Sequence, residues 1–278
     1  MRECFDLPRI QVDSLIVDYD EAGEGVPIIF IPGLTEFKEA FSFQFRGLQS
    51  NYRVISYDVR RGLKRVTDYT IERLVADLRN FMRGMDLNSA VICGHSFGGL
   101  VAMQFALDYP EETKALILVS SFPAKPQDVS ADRFTSWISA GGHPYHASFG
   151  AMVKLHMARL LGRKSAGTMV IEHQVAEVKT IAHQSAQVNR ITVAERMKII
   201  AKADFSATLG EIIAPTMIVA GAKDRSFFLS SAQALYEGIP DSSLEVIEDS
   251  AHFCFLTRHD QFNLLVDDFL SAHLSKIA

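Results

Sequence analysis

Apolar positions along this chain change their period in a regular order. Short continuous apolar runs, Val26-Pro27-Ile28-Ile29-Phe30-Ile31, "YRVISYD" ending on Asp58, "SAVICG" and "ALILVSSF", have the character of strands buried on both faces. An earlier segment, Ile10 to Tyr19, is strand-like and breaks at the turn cluster "DEAGEG". Between the runs the spacing becomes helical. From Ile71, apolar side chains fall at Leu74, Val75, Leu78, Phe81, Met82 and Met85, which predicts an amphipathic helix with one buried face. A phenylalanine-rich stretch after Pro32-Gly33 is compatible with a helix, and "LVAMQFALDYP" predicts another, closed by Pro110. Strands alternating with helices predict an α/β fold, a mostly parallel sheet with right-handed crossovers and helices on both faces.

The alternation lapses between Pro123 and about Gly210, where helical stretches with polar interruptions follow one another. It resumes with the strand "APTMIVAGAKD", a helix near Leu229 to Glu237, the strand "SLEVIED" and a last helix from about Asp260 to Leu274. The expected organisation is a sheet domain over residues 1–122 and 211–278, interrupted by a helical cap over 123–210. No internal repeat or low-complexity linker breaks the pattern.

With 278 residues, 48% of them hydrophobic, the chain can bury one substantial core and a smaller appended module. A formal net charge of -5, with acids and bases interspersed, offers no basic stripe for a phosphate backbone, so nucleic acid is not an expected partner. Met1-Arg2-Glu3-Cys4-Phe5-Asp6 lacks the start of a secretory signal, and no apolar stretch approaches the ~20 residues of a membrane span, so a cytoplasmic location is expected. Cys4, Cys93 and Cys254 lie far apart in sequence without C-x-x-C spacing and are read as reduced thiols.

Candidate chemistry concentrates where "VICG" turns into a helix. Gly94-His95-Ser96-Phe97-Gly98 fits G-x-S-x-G, with glycines at both flanks because the tight strand-to-helix turn brings neighbouring backbone into contact. The strain exposes the serine hydroxyl above the sheet. The helix that starts behind Ser96 has unpartnered N–H groups, so the N–H of Phe97 is a candidate donor to an oxyanion. A serine nucleophile needs a base, and the base needs a carboxylate to orient it. Asp224 in "VAGAKDRS" and His252 in "IEDSAHF" follow in that order, each just past a strand, at the sheet edge where open α/β sheets bind ligands. Asp249 is the rival carboxylate; its place on the same loop as His252 leaves it little freedom to reach the far imidazole nitrogen, and Asp224 is preferred.

With these features, the "GHSFGG" corner, the "GAKD" strand end, the "DSAHF" loop and the helical insertion, the chain resembles the α/β-hydrolase superfamily over essentially its whole length. The resemblance implies Ser96 as nucleophile, His252 as general base and acid, and Asp224 as the residue orienting the imidazole. It also implies a second oxyanion donor, the N–H of Leu34, in the loop that follows the strand in "IFIPGL". The chain departs from the family in having Pro32-Gly33 where His-Gly is common, and "DVRRGLKRVTDYT" in place of D-x-R-G-x-G-x-S. Arg60, Arg61 and Arg65 in that stretch are read as solvated, Ser120 and Ser121 as capping their loop, and His95 as packing beside the corner.

His143, His146, His156, His173 and His183 match no metal-ligand spacing, so no metal and no cofactor is expected. Trp137 and its neighbouring phenylalanines are read as packing within the cap. The expected activity is hydrolysis of a carboxylic ester or related small acyl substrate through an acyl-enzyme on Ser96. Lactone, thioester or carbon–carbon cleavage by the same residues, cofactor-free oxygenation and ligand reception stay open, as does the oligomeric state.

Overall fold

The structure, a computed structural model, describes residues 8–12, 15–60, 69–125 and 190–274. Strands β1 (Arg9–Val12), β2 (Leu15–Ala22), β3 (Val26–Ile31), β4 (Tyr52–Tyr57), β5 (Ala90–His95), β6 (Thr113–Val119), β7 (Thr216–Gly221) and β8 (Ser242–Ile247) form one sheet in the order β1-β2-β4-β3-β5-β6-β7-β8. From β4 to β8 every neighbouring pair is parallel, whereas β2 runs antiparallel to β4 and β1 antiparallel to β2. The segment expected to be one strand from Ile10 to Tyr19 is therefore a hairpin, with Val12 paired to Leu15. Asp13-Ser14, a pair of turn-forming residues, separates the two halves in sequence.

The helices are α1 (Ser42–Leu48), α2 (Ile71–Gly84), α3 (Phe97–Asp108), α4 (Arg190–Lys202), α5 (Ser226–Gly238), the short α6 (Cys254–Thr257) and α7 (His259–Leu274). Period-two alternation sends successive strand residues to opposite faces. Ile29, Ile31 and Ile92 enter a core shared with α2, α3, α4 and α5; Ile28, Phe30 and Val91 enter a second core shared with α1, α6 and α7. The strands are apolar without interruption because both faces are covered. On α2 the buried set Leu74, Val75, Leu78, Phe81 and Met82 is the stripe read from the sequence, and each such side chain contributes about 1.5–3 kcal/mol on burial. Thr70 caps α2 by accepting from the N–H of Arg73 at 3.2 Å.

Arg60 differs from the expectation. It pairs with Asp77 on α2, Nη2 to Oδ1 at 3.2 Å, and the two side chains are only 9% and 8% exposed. Asp77 faces inward beside Leu74 and Leu78, and a carboxylate there needs a cation; Arg61 and Arg65 lie outside the described residues. So do the five insertion histidines, Trp137 and most of the expected cap. The chain leaves and re-enters the sheet domain at one place: Ala124 bridges Asp204, and the N–H of Phe205 donates to Pro123 O at 2.9 Å. Among the described residues no helix is long and apolar enough to cross a membrane.

Strand order places the site. After β3 the chain turns to β4 on one side, and after β5 to β6 on the other, so the loops leaving the carboxyl ends of β3 and β5 diverge and open a crevice between them. Pro32-Gly33-Leu34 follows β3, and Ser96 follows β5.

Candidate active site

Ser96 occupies the junction between β5 and α3 with φ 51° and ψ −113°, a left-handed backbone that costs a non-glycine residue about 1–3 kcal/mol. The corner is as tight as its glycines imply. A Cβ on Gly94 would lie 2.3 Å from the carbonyl oxygen of Gly98, and one on Gly98 would lie 2.2 Å from that of Ile31. The strain is held from both sides: the N–H of Ser96 donates to Val119 O at 2.9 Å, and Ser121 Oγ donates to Ser96 O at 3.0 Å. Ser121 thus braces the corner, and Phe97 begins α3, where the first N–H groups have no partner within the helix.

His252 and Asp224 arrive from β8 and β7, two strands whose carboxyl ends lie on the same edge. Nδ1 of His252 and Oδ2 of Asp224 are 3.0 Å apart, and the other carboxylate oxygen accepts the N–H of Arg225 at 2.8 Å. The Asp224 side chain is 3% exposed and that of His252 12%. Asp249 is turned away. Its side chain is 56% exposed, with Lys223 Nζ at 2.6 Å and Arg258 Nη2 at 3.3 Å. The structure therefore brings Asp224, and not its rival, to the imidazole.

Burial pushes the His252 pKa below the ordinary 6.5, opposed by the hydrogen bond and charge of Asp224. Because the neutral imidazole is the form that accepts a proton, activity dependent on His252 should rise with pH through a midpoint below 6.5. A kcat/KM profile from pH 4.5 to 8 with a p-nitrophenyl ester checks this; a midpoint above 6.5, or a flat profile, would contradict it.

His95 has a more defined place than packing. Its Nε2 lies 2.9 Å from the carbonyl oxygen of His252, which can only accept, so Nε2–H is the donor. On the other side Nδ1 meets Glu36 Oε1 at 2.7 Å, an approach off the axis of a straight hydrogen bond. Glu36 Oε2 accepts the N–H of Gly33 at 2.8 Å. Burial raises the Glu36 carboxyl, but the charge of His95 and the Gly33 N–H outweigh it and hold Glu36 below its ordinary range, as the carboxylate. One buried acid thereby ties the loop after β3 to the residue preceding Ser96, and through it to the backbone of His252.

Neither Glu36 nor Arg196, which also reaches this loop, stands out in sequence by motif. The available signals are weak: Glu36 is an acid three residues after Gly33, and Arg196 lies four residues after Thr192 and before Ile199 and Ile200, all buried on one face of α4.

A strained serine between a parallel strand and a helix, with a histidine–aspartate pair at the same sheet edge, is the architecture of an α/β hydrolase. The chain belongs to that family: the sequence model of the Alpha/beta hydrolase family matches residues 28–263. It is a hydrolytic enzyme. Among its relatives, "Putative carbamate hydrolase RutD" of Klebsiella pneumoniae (strain 342) is 24% identical over 266 residues, 90% of this chain and 93% of its own. Among solved structures, the enol-lactonase from Burkholderia xenovorans LB400 matches with a TM-score of 0.72 at 21% identity, covering 95% of this chain and 100% of that one. Est816, described as an N-acyl homoserine lactone degrading enzyme, matches with a TM-score of 0.73 at 25% identity, covering 94% and 100%.

Proposed function

We propose that this chain is a serine hydrolase of small acyl compounds, a carboxylic ester in the first instance. Ser96 attacks the carbonyl while His252 Nε2 takes its proton, and Asp224 holds Nδ1–H and stabilises the imidazolium that forms. The tetrahedral oxyanion is received by the N–H groups of Leu34 and Phe97. His252 then protonates the leaving oxygen, an acyl-enzyme remains on Ser96, and water activated by the same histidine releases the acid. We also propose that the segment 123–210 is an insertion between β6 and β7 that serves as a cap.

The observation that carries this reading is the left-handed Ser96 at the head of α3, delivered to the sheet edge that also holds the 3.0 Å His252–Asp224 pair. The surroundings of the imidazole support an apolar acyl group. The Phe228 ring lies 4.2 Å from that of His252, and Phe122 and Phe227 pack against Phe228 at 6.0 and 5.1 Å. The relatives' names, a carbamate hydrolase and two lactone-directed proteins, support extending the substrate class to cyclic esters and carbamates.

The test is reaction of the enzyme with a fluorophosphonate, followed by peptide mapping, alongside turnover of p-nitrophenyl esters from acetate to decanoate, a γ-lactone and an aryl carbamate. A label on Ser96 and turnover of one or more of these substrates are expected. An unlabelled Ser96 with no turnover of any would refute the reading.

A further inference from the structure

Among the described residues Arg196 is the largest fully buried side chain, being only 2% exposed. Among the described residues no carboxylate pairs with it. Its guanidinium is instead satisfied by four oxygens: Nη1 donates to Gly33 O and to Leu34 O, each at 2.8 Å, Nη2 to Val59 O at 2.9 Å, and Nε to Tyr69 Oη at 3.1 Å. The same guanidinium carbon lies 5.4 Å from the centre of the Phe97 ring. Burying a cation without a counter-ion is costly even when it is well hydrogen-bonded. A leucine or methionine at this point on α4 would pack without that cost, so what the cation touches matters.

Two of its four acceptors are the carbonyls of the loop after β3. The Gly33 oxygen and the Leu34 N–H belong to one planar peptide unit, in which the trans geometry points them in opposite directions. A donor fixed on that oxygen therefore fixes the direction of that N–H. A cation on the oxygen also draws density out of the amide and makes the N–H a stronger donor. The preceding N–H, of Gly33, is taken by Glu36, and among the described residues the Leu34 N–H donates to no acceptor.

We infer that Arg196 is a positioning residue for the oxyanion hole, aiming and polarising the Leu34 N–H by gripping the other end of its peptide. The inference rests on the serine hydrolase reading. It makes α4, which carries Arg196, part of the catalytic support.

The experiment compares wild type, Arg196→Met and Arg196→Lys in the full chain, with thermal unfolding by circular dichroism as the check on folding. Turnover of p-nitrophenyl butyrate is read with the inhibition constants of a butyl trifluoromethyl ketone, whose adduct with Ser96 places an oxyanion in the hole, and of butyramide, which remains in the ground state. For Arg196→Met the expected result is a fall in kcat of ~10–100-fold with KM unchanged within about 3-fold. The ketone should weaken by the same factor as kcat, butyramide should hold, and Arg196→Lys should fall between, because an ammonium can keep one carbonyl but not four oxygens.

Retention of kcat within about 3-fold, or parallel weakening of ketone and butyramide, would overturn the inference. If the methionine variant does not fold, the ratio of the two inhibition constants in the lysine variant decides by the same criterion. Failure of the underlying reading looks different: wild type itself would then neither turn over the ester nor bind the ketone covalently.

Discussion

Ser96→Ala should remove ester hydrolysis, lowering kcat on the order of 10⁶-fold, the loss that follows removal of the nucleophile in serine proteases. The reason is that no neighbouring group can replace Oγ as the atom that bonds to the acyl carbon. A residual rate above that of water should survive, supplied by the Leu34 and Phe97 donors and by binding alone. The substitution is a clean one structurally. Alanine keeps the Cβ, faces the same left-handed strain at φ 51°, and leaves the backbone bonds to Val119 and Ser121 in place, so the unfolding midpoint should move little. Steady-state turnover of p-nitrophenyl butyrate by both proteins, with thermal unfolding of each, makes the comparison. A variant active within about tenfold of wild type would rule out the covalent mechanism and move attention to chemistry that His252 can perform without the serine.

Asp224→Asn should be the next most damaging change, with kcat lowered by about 10⁴-fold, as for the triad aspartate of serine proteases. The amide can keep the 3.0 Å contact to Nδ1, but it can do so by donating. The imidazole proton then moves to Nε2, and the nitrogen that has to accept the serine hydroxyl proton in the proposed reaction has no lone pair with which to do so. The negative charge that steadies the imidazolium is lost as well. Asp249→Asn serves as the comparison. Its carboxylate is 56% exposed and held by Lys223 and Arg258 at the surface, where ion pairs contribute about 0–1 kcal/mol, so activity should stay within about 3-fold of wild type. If Asp249→Asn were the crippling change and Asp224→Asn harmless, the assignment of the orienting carboxylate would be reversed.

How much of this was legible beforehand depended on whether the determining contacts are local. The apolar strands were legible because both faces of a parallel sheet are covered, which leaves uninterrupted runs such as Val26–Ile31 and Thr113–Val119. The serine corner was legible at Gly94 because its constraint, backbone 2.3 Å from where a Cβ would stand, comes from Gly98 four residues on, whereas Gly98 is itself constrained by the Ile31 carbonyl of β3. The placement of Asp224 and His252 followed from strand ends on one edge. The hairpin of β1 and β2 was not, since a polar pair inside an alternating run is compatible with a turn or with a strand.

The sequence by itself thus determined the layered α/β architecture, the corner that presents Ser96, and the two strand ends that carry Asp224 and His252. Only the tertiary structure decided which carboxylate meets the imidazole, that Arg60 is spent on Asp77 and not on solvent, and that Glu36 and Arg196 both converge on Gly33. Those are choices among charged side chains whose partners come from other elements; Arg196 and Gly33 are 163 residues apart. A buried charge is tolerated wherever folding brings it a partner, and local spacing carries no record of which partner that will be.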